Sequence, residues 1–200
     1  MAGVLSMLGF WPGSVLIGPS ESNPQGHWEP QRLVNLHDRM LGELGGAWDR
    51  PPKRMSRGDD WVGDLARYRS QARMLFDEDY AGQDKWMFKD PRLALLLPFW
   101  LGMWEQPPLA VVVSRHPDKI AQSLHVRNRM SHRSAIELHR TYVQAARRSA
   151  EMCADQFYVS FEALLASPER IIERLCTFVG GMPSGIPYAA GFVDTKLVHA

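Results

Sequence analysis

Apolar positions along the chain follow two rhythms, and the alternation between them is the first clue to architecture. Leu33, Leu36, Met40, Leu41 and Leu44 recur three and four residues apart, which predicts a helix that Gly45-Gly46 stops. The same helical spacing marks Ala2 to Phe10 through Val4, Leu5 and Leu8, a stretch from about Trp61 to Phe76, and Leu93 to Trp104. It returns in a long helix whose apolar face runs Ile136, His139, Val143, Ala146, Ala150 and Cys153. Ser167-Pro168 opens a last one, with Ile171, Ile172, Leu175 and Val179 turned to the core before Gly180-Gly181.

Between these helices lie short runs with the period of a strand. Lys85-Trp-Met-Phe-Lys89 ends where Pro91 biases Asp90 away from helical geometry. Leu109-Ala-Val-Val-Val113 is continuous and mostly β-branched, the pattern of a central parallel strand with both faces covered. Phe157-Tyr-Val-Ser-Phe161 is a third. Strands alternating with helices predict an α/β fold around a parallel sheet. The Pro-rich segment from Ala47 to Asp60 reads as a surface connection within one domain spanning 1-200.

Composition narrows the function classes. Lys and Arg exceed Asp and Glu by only one, 23 against 22, which argues against a broad positive field for nucleic acid or an anionic membrane while leaving room for a local anion pocket. The apolar run from Val4 to Ile17 is broken by Pro12-Gly13 and falls short of the ~20 residues a bilayer span needs. Two isolated cysteines, Cys153 and Cys176, fit neither a disulfide framework nor a zinc site and point to reduced thiols in a cytoplasmic protein without metal.

The candidate chemistry starts at the end of the clearest strand. Arg115 follows it, and Ser123 lies about two turns into the helix opened by Pro117. Ligands of open α/β sheets gather beyond the carboxyl ends of strands, where a guanidinium and a hydroxyl can both bind a phosphate. A solvated arginine and an ordinary helix serine are the plainer alternative. The segment Val111 to Ser123, with Arg115-x-Pro117, resembles the 3′-phosphate-binding motif of sulfotransferases. Three further segments follow in that family's order: Asn23-Pro-Gln-Gly-His-Trp-Glu29, Trp86-Met-Phe-Lys-Asp-Pro-Arg92, and Val159-Ser-Phe-Glu-Ala-Leu-Leu-Ala-Ser-Pro-Glu169.

The resemblance implies a three-layer α/β sandwich of the nucleotide-binding P-loop type. It implies transfer of a sulfuryl group from 3′-phosphoadenosine 5′-phosphosulfate to a hydroxyl or amine of a small-molecule or glycan acceptor, with 3′,5′-adenosine bisphosphate as product and no metal. Arg115 and Ser123 would then hold the 3′-phosphate, and Phe161 would stand near the adenine. Lys89 would stabilise the sulfuryl group or bridging oxygen, unless it is merely paired with Asp90. Glu29 would be the base, although a carboxylate also suits the first turn of a helix at Pro30. His27 is a rival base. Arg92 could contact sulfate or tether Asp90.

The chain departs from the family at its start: the first strand and phosphate-binding loop have no counterpart, and Ala2 to Gly9 resembles the helix after them. The expectation is an N-terminally incomplete domain, a fragment or mis-started copy of an active enzyme. A non-catalytic nucleotide-binding or protein-interaction pseudoenzyme also fits such a start, as does a domain completed by a partner chain or homo-oligomer. Phe192 to His199 resembles a late family segment. A phosphoryl-transfer enzyme is disfavoured by the absence of a Gly-x-x-x-x-Gly-Lys-Ser/Thr loop.

Overall fold

A computed structural model describes residues 1–21, 23–57 and 60–193, so the end of the late segment compared with the sulfotransferases lies outside it. In chain order the elements are α1 (Ala2–Met7), α2 (Gln31–Glu43), α3 (Lys53–Arg57), a 3-10 turn (Gly63–Tyr68), α4 (Arg69–Tyr80) and α5 (Leu93–Leu101). There follow β1 (Leu109–Ser114), α6 (Pro117–Asn128), α7 (His132–Ala150), β2 (Asp155–Ser160), α8 (Phe161–Ala166), α9 (Pro168–Val179) and α10 (Ile186–Phe192). The fold is mixed α/β, as the alternation of rhythms predicts.

Its sheet is smaller than expected. Among the described residues β1 and β2 pair in parallel, in register from Leu109 with Asp155 to Ser114 with Ser160, with α6 and α7 as the crossover. The expected central strand is therefore paired along one edge, and Leu109 and Val113 remain 44% and 46% exposed. Among the described residues the expected strand at Lys85 to Lys89 is extended chain with a single bridge, to Trp11, through Trp11 N–H to Lys85 O and Met87 N–H to Trp11 O. Its period-2 pattern is met by packing instead: Trp86 and Phe88 enter an aromatic cluster with Phe76, Tyr80, Trp100 and Trp104, while Met87 is buried.

Among the described residues the core has three parts. The largest joins α2, α4 and α5 around Leu36, Met40, Phe76, Phe99 and Trp100. A second packs α1, α9 and α10 against β2 through Val4, Leu8, Phe157, Ile172 and Leu175. A third holds α6 to α7 through Ala121, Leu124, Ala135 and Leu138. At the C-terminal end of α7 Ala150 is buried as predicted, but the other buried residues, Ala135, Leu138, Ala145 and Ser149, lie one residue from the predicted face, a rotation of about 100° on a helix. The cause lies in its partners: the Ser149 hydroxyl donates to Ala94 O (3.0 Å) and the Tyr142 hydroxyl to Trp48 O (2.8 Å). The connection from Ala47 to Asp60 thus supports α7 and carries α3.

Candidate functional site

The segment Asn23 to Glu29 is a self-bonded turn. The Asn23 side-chain amide donates to Gly26 O (2.7 Å), and Gly26 takes φ +84°, which glycine adopts at no steric cost. Trp28 also has a positive φ, +59°, a conformation that costs an L-residue roughly 1–2 kcal/mol. Its indole offsets part of that cost by donating to Gln25 O (3.0 Å) and meeting the Phe192 ring edge-on. On either side of Glu29 the backbone is tied to a second segment, through Ile17 N–H to Glu29 O (2.8 Å) and Gln31 N–H to Val15 O (2.9 Å). The Trp28 twist and these ties fix the direction of the Glu29 side chain, which is buried.

That carboxylate forms an ion pair with the ammonium of Lys89, sixty residues later in the chain. The lysine side chain remains 37% exposed while the glutamate side chain is 9% exposed, so the pair is open from the lysine side. Lys89 therefore pairs with Glu29 rather than Asp90. The Met1 amino group is buried nearby, and burial first, then the Lys89 charge, lower its pKa.

Asp90 points the other way, into the core. His37 Nδ1 lies 2.7 Å from Asp90 Oδ2, and the Trp100 indole donates to His37 Nε2 (2.8 Å). An indole N–H can only donate, so Nε2 accepts and the imidazole proton sits on Nδ1 facing Asp90. The other carboxylate oxygen accepts from the Arg92 backbone N–H (2.8 Å) and guanidinium (3.0 Å). Arg92 also grips Asp38 through Nε and Nη2 (2.6 and 3.2 Å). Burial opposes ionisation of Asp90, but the hydrogen bond and field of His37, with the charge and backbone N–H of Arg92, outweigh it and bring its pKa to about 2. Arg92 is thus the tether of Asp90, and the Lys89-Asp90 dipeptide is held with one side chain out and one in.

A second cluster gathers at the end of the sheet. Arg115 leaves β1 with its guanidinium 5.0 Å from the centre of the Phe161 ring, a cation–π distance. Phe161 is the first residue of α8 rather than a strand residue, because the Ser160 hydroxyl accepts from Ala163 N–H and starts the helix there. Beside it Glu162 accepts from the His116 backbone N–H (2.9 Å); this bond, the Glu162 N–H and the nearby Arg115 charge lower its pKa against a smaller effect of burial. Ser123 is half-buried on α6, and no hydrogen bond joins it to Arg115 among the described residues. His27 lies near the Ser20 hydroxyl (3.1 Å), in the same loop as Glu29 but with a different partner.

The residues that sequence reasoning passed over are His37 and Trp100. Their signal was present: His37 sits four residues from both Leu33 and Leu41, a polar group on the apolar face of α2. Among the described residues no group of three or more His, Cys, Asp or Glu could hold a metal ion, and no helix is long and apolar enough to cross a membrane. No protein-family model matches the chain, and no curated protein and no solved structure matches it either.

Proposed function

We propose that the chain is a sulfotransferase-like domain of the three-layer nucleotide-binding type, with Lys89 and Glu29 at the reacting end of the site and Arg115 at the end that holds a phosphoadenosine 3′-phosphate. The observation that carries this reading is the Lys89–Glu29 pair: two residues singled out from separate segments meet as cation and carboxylate, one reachable and one buried. Arg115 supports an anion at this end, because it follows the carboxyl end of β1, where ligands of α/β sheets gather, and a guanidinium can pair bidentately with a phosphate. The second-turn position of Ser123 on α6 would supply a hydroxyl to the same phosphate.

In the reaction an acceptor oxygen or nitrogen attacks the sulfur of the 5′-phosphosulfate. The new bond to sulfur forms as the bond to the bridging phosphate oxygen breaks. Glu29 takes the acceptor's proton, and Lys89 faces the negative charge that grows on the departing oxygen. The resting ion pair holds the two side chains together, and Lys89 must swing from it toward the donor. Isothermal calorimetry with 3′,5′-adenosine bisphosphate tests the reading. Binding by the wild-type chain, weakened at least about tenfold in Arg115→Ala, supports it, since hydrogen bonds to charged groups contribute roughly 1.5–3 kcal/mol. A folded wild-type chain that releases no binding heat sinks it. Lys89→Ala and Glu29→Gln should still bind the bisphosphate while losing transfer of labelled sulfate.

A further inference from the structure

The chain's near-zero net charge hides a strong asymmetry. Between Arg115 and Arg148 eight Lys and Arg side chains face two acidic ones, so the remainder of the chain is net acidic. On α7 this charge is ordered: Arg133, Arg140 and Arg147 follow one another at seven-residue intervals, about 10.5 Å apart along the axis, on the side opposite Ala135, Leu138, Ala145 and Ser149. All three are exposed, as is Arg148 next to them. Arg133 meets Glu137 (3.0 Å), and no ion pair or hydrogen bond engages the side chains of Arg140, Arg147 or Arg148 among the described residues.

A second observation lies along the same helix. Because α7 is rotated by one residue from its predicted orientation, the apolar row Ile136, Val143 and Ala146 is only half-buried and borders the arginine row. The helix therefore presents a partly open apolar seam flanked by cations at heptad spacing, the arrangement in which one helix recognises another through a seam and its bordering charges.

We propose that this face of α7 docks an amphipathic helix of a partner protein, one that carries Asp or Glu a heptad apart beside its own apolar seam. Charge complementarity selects the partner. A second copy would set the same arginines against each other. A polynucleotide would answer the arginines and leave the Ile136 to Ala146 row uncovered, and a single file of cations is a narrow footprint for a duplex backbone. The proposal is independent of the assignment of Lys89, Glu29 and Arg115, none of which lies on α7.

Fluorescence anisotropy tests it with a labelled helical peptide of roughly three heptads, built with a Leu and Ala seam and Glu at successive heptad positions. The wild-type chain should bind this peptide in preference to its Lys counterpart. The triple variant Arg133→Glu, Arg140→Glu, Arg147→Glu should lose affinity for the acidic peptide by about tenfold or more, from three exposed pairs turned repulsive, and gain it for the Lys peptide. Unchanged circular dichroism of the variant, expected for exposed positions, keeps the comparison valid. The proposal is overturned if the acidic peptide does not bind, if charge reversal leaves its affinity unchanged, or if duplex DNA or phosphatidylserine vesicles bind more tightly with the same arginine dependence.

Discussion

Glu29 is placed by its neighbours and stabilised by a residue far along the chain. With its side chain 9% exposed, the carboxylate depends on Lys89 for its charge partner, whereas the lysine, at 37%, keeps part of its hydration. Removing each member should thus have unequal effects. Lys89→Ala strands a buried anion and should destabilise the fold by about 1–3 kcal/mol, less than a fully buried pair because water still reaches one side. Glu29→Gln leaves only a half-exposed cation and should cost less. Thermal unfolding of the two single variants and the double variant provides the check, with the double less destabilised than the sum of the singles. At His37 the discriminating pair is Leu and Asn. His37→Leu leaves the Trp100 indole and the Oδ2 atom of Asp90 without their buried partner, while Oδ1 keeps Arg92, and should cost roughly 1–3 kcal/mol, whereas Asn retains a donor toward Asp90 and should recover part of that loss.

At the scale of elements, local chemistry and long-range pairing were unequally legible. Pro117 at the start of α6, Gly180 in the left-handed conformation at the end of α9, and the leucines of α2 stand as the spacing predicts, because caps and one-sided burial are written within a few residues. The extended segment at Lys85 was legible as period-2 chain but not in its pairing: whether a run with alternating faces finds a neighbouring strand or an aromatic cluster depends on segments far away. The rotation of α7 has the same origin, since Ala94 and Trp48 decide which of two adjacent apolar rows is covered. Of the candidate site, Lys89 and Glu29 could be named from the sequence, but their contact and the His37–Asp90 lock required the fold. Gly185 shows how tightly elements meet. A Cβ there would stand 2.9 Å from the Met7 carbonyl carbon and closer still to its oxygen, backbone atoms with no freedom to rotate away. Gly185→Ala should therefore push α1 off the turn that precedes α10 and destabilise the chain by about 1–3 kcal/mol, the usual range for overpacking. Faster amide exchange in α1 and α10 than in α4 would locate the damage, and uniform exchange across the chain would contradict it.

For the whole molecule, Asp90 makes stability depend on acid. Its carboxyl titrates near 3.8 ordinarily and at about 2 in the fold, where the side chain has no exposure and Arg92 and His37 hold the charged form. Above pH ~4 the carboxylate is ionised in both folded and unfolded chains, and its full stabilisation, about 2 kcal/mol, is present. As pH falls from ~4 toward 2 the unfolded chain takes up a proton that the folded chain still refuses, so the contribution declines, and below the folded pKa it is gone. Urea unfolding across this interval should show the wild-type chain losing stability as pH falls. Asp90→Asn, already weakened at neutral pH by the loss of its charged bonds, should have a shallower slope over the same interval. Equal slopes in the two proteins would mean that other carboxylates govern the acid response. Lys89 adjoins this group, because Asp90 and Lys89 are successive residues of one extended segment. The group that resists acid therefore stands directly beside the residue whose ammonium meets Glu29.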